Sequence, residues 1–552
     1  MSCVTVRSPG EPKLKRGFEE LPYLFGFPEA VALWAGPQSP SLCARVRTSG
    51  ALLPAPTRML TRPEAGKNRN RRRRIRKMSW DFEKHYINGE WTPSEDDAWI
   101  EVENPATLER FARIPDGTPA DADRAVAAAK AALEGWRTTP LAERIRLMKA
   151  MLANFEALHD EIIPLEVAEL GAPVGFTART HCEYQYVRVR SYIEAAERMV
   201  LEETLPNSTV YREPVGVVAC VTPWNYPLGQ VVQKVVPAIL MGCTVVLKPS
   251  QHTPLTACLL ADAFDRAGFP KGVFNMVSGR GSRLGDRLAS HPDVDMVSFT
   301  GSTTVGIRIA QRALESVKHI SLELGGKSPA VFLPSDDYSA AYPKILSSIF
   351  FNAGQTCTAL SRLIVPRRDL ARIESEFCEL AAKLVVGDPT DPKTDIGPVS
   401  SKAQFEKIAE YVQAGIDEGA RLVMGDVPTD MSCGYYVRPV VFSDVRNDMR
   451  IAREEIFGPV LCIIPYDTVE EAVSIANDTP YGLSGYVHAP TKAEAVAVAK
   501  RIHSGNVYIN DAPRDVTAPF GGYKQSGIGR EGGLAGLLEF TQQKAVFDRT
   551  TY

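Results

Sequence analysis

The chain has 552 residues, 44% hydrophobic and 23% charged, which is too long for a single core and enough for two or three domains. Its formal net charge of −3 hides an asymmetry: residues 1–77 carry a net +11 and the rest −14, an acidic body that argues against a nucleic-acid enzyme. The longest apolar run, 235–247, spans 13 residues and contains Pro237 and Gly242. That is short of the ~20 apolar residues a membrane span needs, so no membrane partner is expected.

The first 77 residues are irregular, Pro-rich and basic, ending in Lys67-Asn-Arg-Asn-Arg-Arg-Arg-Arg-Ile-Arg-Lys just before Met78. They read as a disordered extension or an upstream start; a tether to nucleic acid or a membrane surface is the alternative. Glu11, Glu19, Glu20 and Glu29 speak against a transit peptide. From Met78 a domain begins, with His85-Tyr-Ile-Asn-Gly-Glu-Trp as strand and turn.

Asp121–Leu133 and Pro140–Glu169 have helical apolar spacing. A βα alternation follows. The predicted strands are Val215–Val221, Thr244–Lys248, Val273–Val277, Met296–Thr300 and His319–Leu324. Between them, helices are predicted over Pro227–Met241, Pro254–Ala267 (with Gly268 as C-cap) and Ser302–Leu314. Such alternation predicts a parallel sheet covered on both faces, with ligands beyond the carboxyl ends of the strands, where Lys248, Gly301 and Glu323 fall. A second βα region runs from Pro329 to Phe520, with a predicted helix Ala341–Ala353 carrying Cys357 beyond its end, and the tail from Gly532 closes in a strand-like Lys544-Ala-Val-Phe.

Ten cysteines, from Cys3 to Cys462, form no CxxC and pair with none of the eight histidines at metal spacing. No metal is expected, and a reduced cytoplasmic setting fits best.

Cys357 lies in Asn352-Ala-Gly-Gln-Thr-Cys-Thr. A thiolate attacks carbonyls well, whereas a packed core thiol is inert; Gly354 and the flanking threonines make a tight polar loop that favours the reactive reading. Glu323 opens Glu-Leu-Gly-Gly-Lys-Ser-Pro. It is either solvated or paired with Lys327, or else a general base for water. Asn225, in Thr222-Pro-Trp-Asn-Tyr-Pro, is a turn residue or an oxyanion donor. Gly301-Ser-Thr-Thr-Val-Gly306 opens a helix after a strand, where backbone N–H groups favour a pyrophosphate; Gly279-Arg-Gly-Ser-Arg-Leu-Gly reads as a surface loop.

Trp224-Asn-Tyr-Pro, Lys248-Pro-Ser, Phe299-Thr-Gly-Ser-Thr, Leu322-Glu-Leu-Gly-Gly-Lys, Gly354-Gln-Thr-Cys, Glu454-Glu-Ile-Phe-Gly-Pro and Pro519-Phe-Gly-Gly-Tyr-Lys-Gln-Ser-Gly together resemble the aldehyde dehydrogenase superfamily, in its order and near its spacing, over residues 84–550. The resemblance implies an α/β fold: a Rossmann-like cofactor domain (78–195 and 215–325), an α/β catalytic domain (326–525) and a small β oligomerisation extension with the tail (196–214 and 526–552) pairing subunits into homodimers or homotetramers. It implies Cys357 as nucleophile, Glu323 as base, Asn225 as oxyanion donor and Lys234 in support. NAD would lie against Val221, Pro223, Trp224, Lys248, Ser250, Gln251, Gly281, Phe299, Gly301, Ser302, Val305, Glu455 and Phe457.

Two positions depart from the commoner pattern. Many NAD-preferring members carry Glu where Gln251 stands; an amide repels a 2′-phosphate less, so NAD with measurable NADP use is expected. The expected substrate tunnel is polar, with Tyr226, Gln230, Gln233 and Arg514 beside Phe520. Arg514 either anchors a carboxylate or ring heteroatom of a semialdehyde or aromatic aldehyde, or points to solvent or pairs with Asp511 or Asp515. A CoA-acylating semialdehyde dehydrogenase is disfavoured by Glu323, and a non-catalytic NAD-binding protein by the presence of both Cys357 and Glu323.

Overall fold

The computed structural model describes residues 82–548; the basic extension lies outside them. The first sheet is built around five parallel strands, in spatial order His319–Glu323, Met296–Thr300, Val217–Val221, Thr244–Lys248 and Phe274–Met276. The chain starts at the central strand, builds outward to one side, then crosses to the other. That reversal opens a crevice at the carboxyl ends of Val217–Val221 and Met296–Thr300. The hairpin His85–Ile87/Glu90–Thr92 extends one edge, its turn carrying Asn88 and Gly89 at φ 55° and 73° as a tight two-residue loop requires. Gly527–Ile528 returns from near the C-terminus to cap the other edge antiparallel.

These strands are almost wholly buried, which explains their unbroken Val/Ile/Leu-rich text. Helix Pro227–Leu240 is buried on every face. Pro237 within it has no N–H, so the Gln233 carbonyl one turn earlier is left without its helical partner; the Tyr192 hydroxyl donates to it at 3.3 Å.

A second sheet orders Arg421–Met424, Val440–Ser443, Val460–Tyr466, Arg362–Pro366, Pro329–Phe332, Ser484–His488 and Asn506–Ile509, parallel except for its first pair. A third, antiparallel sheet joins Glu202–Leu205, Ser208–Pro214 and the C-terminal Thr541–Phe547. Trp99–Glu103 and Arg110–Pro115 form a separate ribbon.

Two predicted helices are corrected. Pro140–Glu169 is two helices, Leu141–Ala157 and His159–Leu170, broken at Leu158 where no Gly or Pro signals it. Ala341–Ala353 ends early: the helix is Tyr342–Phe350, and Asn352, Ala353 and Gly354 then take left-handed φ of 54°, 52° and 72°.

Candidate active site

That left-handed turn aims the loop bearing Cys357. Gly354 is obligatory: a Cβ there would lie 2.2 Å from the Gly458 backbone, on a φ of +72°. Gln355 locks the loop, its amide donating to the Asn352 carbonyl (2.9 Å) and its Oε1 accepting from the Ser400 N–H (2.8 Å). Asn225 meets this loop. Its Nδ2 donates to the Gln355 carbonyl at 2.9 Å, while Asn352 donates to the Asn225 carbonyl at 2.9 Å. Asn225 is only 3% exposed, so it is a bridge between the two loops rather than a surface turn. One of its two amide protons stays free. The neighbouring Tyr226 and Thr356 hydroxyls share a bond of 2.8 Å.

Cys357 is half-buried, not a packed core thiol. Burial and the Glu455 and Glu323 carboxylates push its pKa up to about 12, with Arg514 opposing. Glu323 ends the strand His319–Glu323 and is 3% exposed. Neither of its carboxylate oxygens has a hydrogen-bond partner, and the Lys327 ammonium is likewise unpartnered, so the two do not pair. Burial, then the nearby Glu531 charge, holds the Glu323 carboxyl well above its ordinary range.

Lys234 is fully buried against Glu531 at 2.6 Å. Glu531 was not anticipated from the sequence; it lies 297 residues away and is placed by paired backbone bonds of 2.7 Å each way with Phe520. A further unanticipated group is His181, whose ring stacks on Tyr226 at 4.6 Å and whose Nδ1 meets buried Glu166 at 2.7 Å.

At the cofactor end, Lys248 terminates its strand, and burial lowers its pKa to about 8. Its ammonium donates to the Pro249 carbonyl at 2.9 Å. The supposed surface loop at Gly281 packs against it: a Cβ on Gly281 would lie 3.9 Å from the Lys248 nitrogen, and the Gly281 N–H donates to Gln251 Oε1 at 3.4 Å. Ser250 and Val221 are buried beside this end, and Pro223 half-buried.

Ser302 caps the helix Thr303–Leu314, its hydroxyl accepting the Val305 N–H at 3.5 Å. Gly301 is held flat on Phe299, where a Cβ would come within 2.5 Å of the ring, and its N–H is committed to the Glu323 carbonyl at 3.1 Å. Any pyrophosphate contact therefore falls to the turn after Gly301. Glu455 accepts the Gly326 N–H at 2.9 Å, and Phe457 meets Trp224 edge-on at 5.4 Å. Lys248, with two more N–H donors, the Gly281 turn and the open helix start together fit a dinucleotide laid across the strand ends.

In the expected tunnel, Gln230 and Gln233 are buried, and Gln230 Oε1 has no partner. Arg514 pairs with neither Asp511 nor Asp515 among the described residues. Its guanidinium lies over the Phe520 ring at 4.7 Å, while Asp515 accepts from Thr517. The described residues hold no metal-competent cluster of His, Cys, Asp and Glu, and no helix long and apolar enough to cross a membrane.

Residues 91–546 match the model of the aldehyde dehydrogenase family. The chain is 43% identical over 472 residues to the 3-succinoylsemialdehyde-pyridine dehydrogenase of a Pseudomonas species, covering 84% of this chain and 98% of that one. Among solved structures it resembles a mutant aldehyde dehydrogenase C of Pseudomonas syringae complexed with NAD+ and octanal (TM-score 0.83, 44% identity, 84% and 96% of the two chains). It also resembles a Mycobacterium tuberculosis aldehyde dehydrogenase complexed with NAD+ (0.83, 42%, 85% and 99%). With a family model across most of its length and relatives matched nearly end to end, the chain belongs to the aldehyde dehydrogenase family.

Proposed function

We propose that this chain oxidises an aldehyde to its carboxylic acid with NAD, through a thioester on Cys357 that is hydrolysed by water deprotonated at Glu323. The observation that carries this is a half-buried thiol within electrostatic reach of a buried carboxylate that has no hydrogen-bond partner of its own. A hydrolytic dehydrogenase needs that pair, and a CoA-acylating one has no use for the base. As a family member the enzyme is an NAD(P)-dependent oxidoreductase of aldehydes.

Chemistry starts with proton removal, because burial disfavours the Cys357 thiolate. That proton leaves to solvent, and Glu323, its raised basicity moving it toward the pH at which general bases work best, is kept for the water of the second half. The sulfur adds to the aldehyde carbon, and the oxygen gains negative charge. The second Asn225 amide proton and the Cys357 backbone N–H would stabilise that charge; one such donor contributes about 3–4 kcal/mol. The bound nicotinamide supplies the two-electron acceptor for the hydride. Glu323 then takes a proton from water, whose oxygen attacks the thioester carbon; the acid is released, and Glu323 returns its proton to the departing sulfur, restoring the thiol and its own charge. Lys234 and Glu531, locked together, hold the floor behind Glu323 and keep its field fixed.

Lys248, Ser250 and Gln251 would hold the adenine ribose, Ser302 and Val305 the pyrophosphate end, and Glu455 with Phe457 the nicotinamide ribose. Gln251, tied to the Gly281 turn, supports NAD first with measurable NADP use. The polar tunnel supports a semialdehyde or aromatic aldehyde, and the relative named for a pyridine semialdehyde is consistent with that. Residues 78–195 with 215–325 serve as the cofactor domain and 326–525 as the catalytic domain. The third sheet leaves Phe547 81% exposed on an edge strand, which supports subunit pairing into dimers or tetramers. Eight cysteines among the described residues, none in a disulfide, suit a reducing cytoplasm.

An aldehyde panel read by NADH absorbance, with NAD and NADP side by side, tests this. Acid product without CoA is expected, with an NAD preference below a thousandfold. NAD binding without NADH from any aldehyde, or turnover only with CoA, overturns it.

A further inference from the structure

The electrostatics around Arg514 do not balance within the chain. Arg514, over Phe520, shares a cleft with Arg188, Tyr184, Ser191 and Gln233. Arg188 lies over the Tyr184 ring at 4.6 Å and donates to Gln185 Oε1 at 2.9 Å. Neither guanidinium has a carboxylate within ion-pair distance among the described residues. Lys344, whose ammonium sits over the Tyr508 ring at 4.6 Å, is a third cation whose charge Arg514 disfavours, and it too has no ion pair there.

The carboxylate whose field reaches both arginines, Glu531, is already bound to Lys234 at 2.6 Å. Ring faces and a neutral amide offset part of a positive charge but supply no counter-charge. Ser191 lines the same cleft, and its buried hydroxyl has no hydrogen-bond partner. Stacking fixes each guanidinium plane while leaving N–H donors at its edge, the geometry that receives a carboxylate. Tyr192 stiffens the wall, donating to the Gln233 carbonyl (3.3 Å) and accepting from the Gly532 N–H (2.9 Å). The cleft adjoins the reaction centre, since the Arg514 charge acts on both Cys357 and Tyr226.

We infer that Arg188, Arg514 and Ser191 form an anion subsite that holds a carboxylate at the far end of the substrate, making this enzyme selective for short oxo acids over neutral aldehydes. The inference rests on the dehydrogenase reading above and adds Arg188 and Ser191 as specificity-determining residues.

The test uses the full chain with NAD and two matched pairs, 4-oxobutanoate against butanal and 5-oxopentanoate against pentanal. Wild-type enzyme should favour each oxo acid in kcat/KM. Arg188→Gln should lower the oxo-acid-to-aldehyde ratio by about 10- to 100-fold, mainly through KM, as expected for losing a hydrogen bond to a charged group. Arg188→Lys should recover part of that loss. Calorimetry with glutarate gives a readout independent of turnover: wild type binds it, and Arg188→Gln weakens binding by the same factor. A ratio unmoved by Arg188→Gln, a wild type indifferent to the carboxylate, or glutarate binding equal in both proteins overturns the subsite. NADH from pentanal with no preference for the oxo acid refutes the subsite alone. Glutarate binding that depends on Arg188 in a chain making no NADH from any aldehyde supports the subsite and refutes the dehydrogenase reading.

Discussion

Glu323→Gln separates the two halves of the reaction. The amide matches the carboxylate in size, and because neither Glu323 oxygen has a partner to lose, the fold should tolerate it. An amide accepts no proton, so the step that needs water deprotonated should slow by the ~10²- to 10⁴-fold worth of a general base, about 3–5 kcal/mol of barrier. Stopped-flow absorbance with saturating NAD should show a burst of NADH approaching one per active site, followed by a nearly flat steady state. Mass spectrometry of the quenched variant should show Cys357 carrying the acyl group. In the wild type, steady-state turnover should rise with pH through an apparent pKa above the ordinary carboxylate value, because burial and Glu531 favour the protonated form and the base acts only once ionised. Steady-state turnover within tenfold of wild type refutes the role. A variant that loses the burst together with turnover places Glu323 before the thioester instead.

Asn225→Ala should reduce kcat by about 10²- to 10³-fold with the burst reduced in rate, since it removes an oxyanion donor; stopped-flow traces at saturating aldehyde check this. Gly354→Ala should abolish soluble, active enzyme, because its Cβ meets the Gly458 backbone at 2.2 Å on a left-handed φ; expression yield and thermal melting report it. In the free enzyme, alkylation of Cys357 by iodoacetamide should be slow at pH 7 and climb about tenfold per pH unit toward pH 11, because its pKa is raised to about 12 and only the thiolate reacts. A flat profile between pH 6 and 9 would contradict that.

Much of the first sheet was readable from composition alone. Thr244–Lys248 and Met296–Thr300 fall where their β-branched runs placed them, since buried parallel strands leave no polar alternation to blur their ends. The Cys357 turn was less legible. Gly354 announces a left-handed residue, but Asn352 and Ala353 share that conformation in a turn tied to the distant Asn225 loop through Asn352. The break at Leu158 likewise comes from packing rather than from a breaker residue. Local motifs marked Cys357, Glu323 and Lys248, because each sits in a distinctive loop or strand end. Glu531 and Arg188 carry no such local mark. Glu531 matters through Lys234, 297 residues away, and Arg188 through its lack of a counter-charge, a property of the folded surface.

Cys357 and Glu323, the pair on which the proposed reaction depends, come from different layers. Glu323 closes a strand of the first sheet, whereas Cys357 sits on the loop leading into Arg362–Pro366 of the second, and Gly527–Ile528 seals the first sheet only after the second is complete. Neither layer holds a working centre by itself. If dinucleotide affinity rests on Lys248, Gln251 and Gly281 of the first layer, as proposed, a chain returning from denaturant should recover it ahead of turnover, and the lag between the two measures how slowly the layers close on each other.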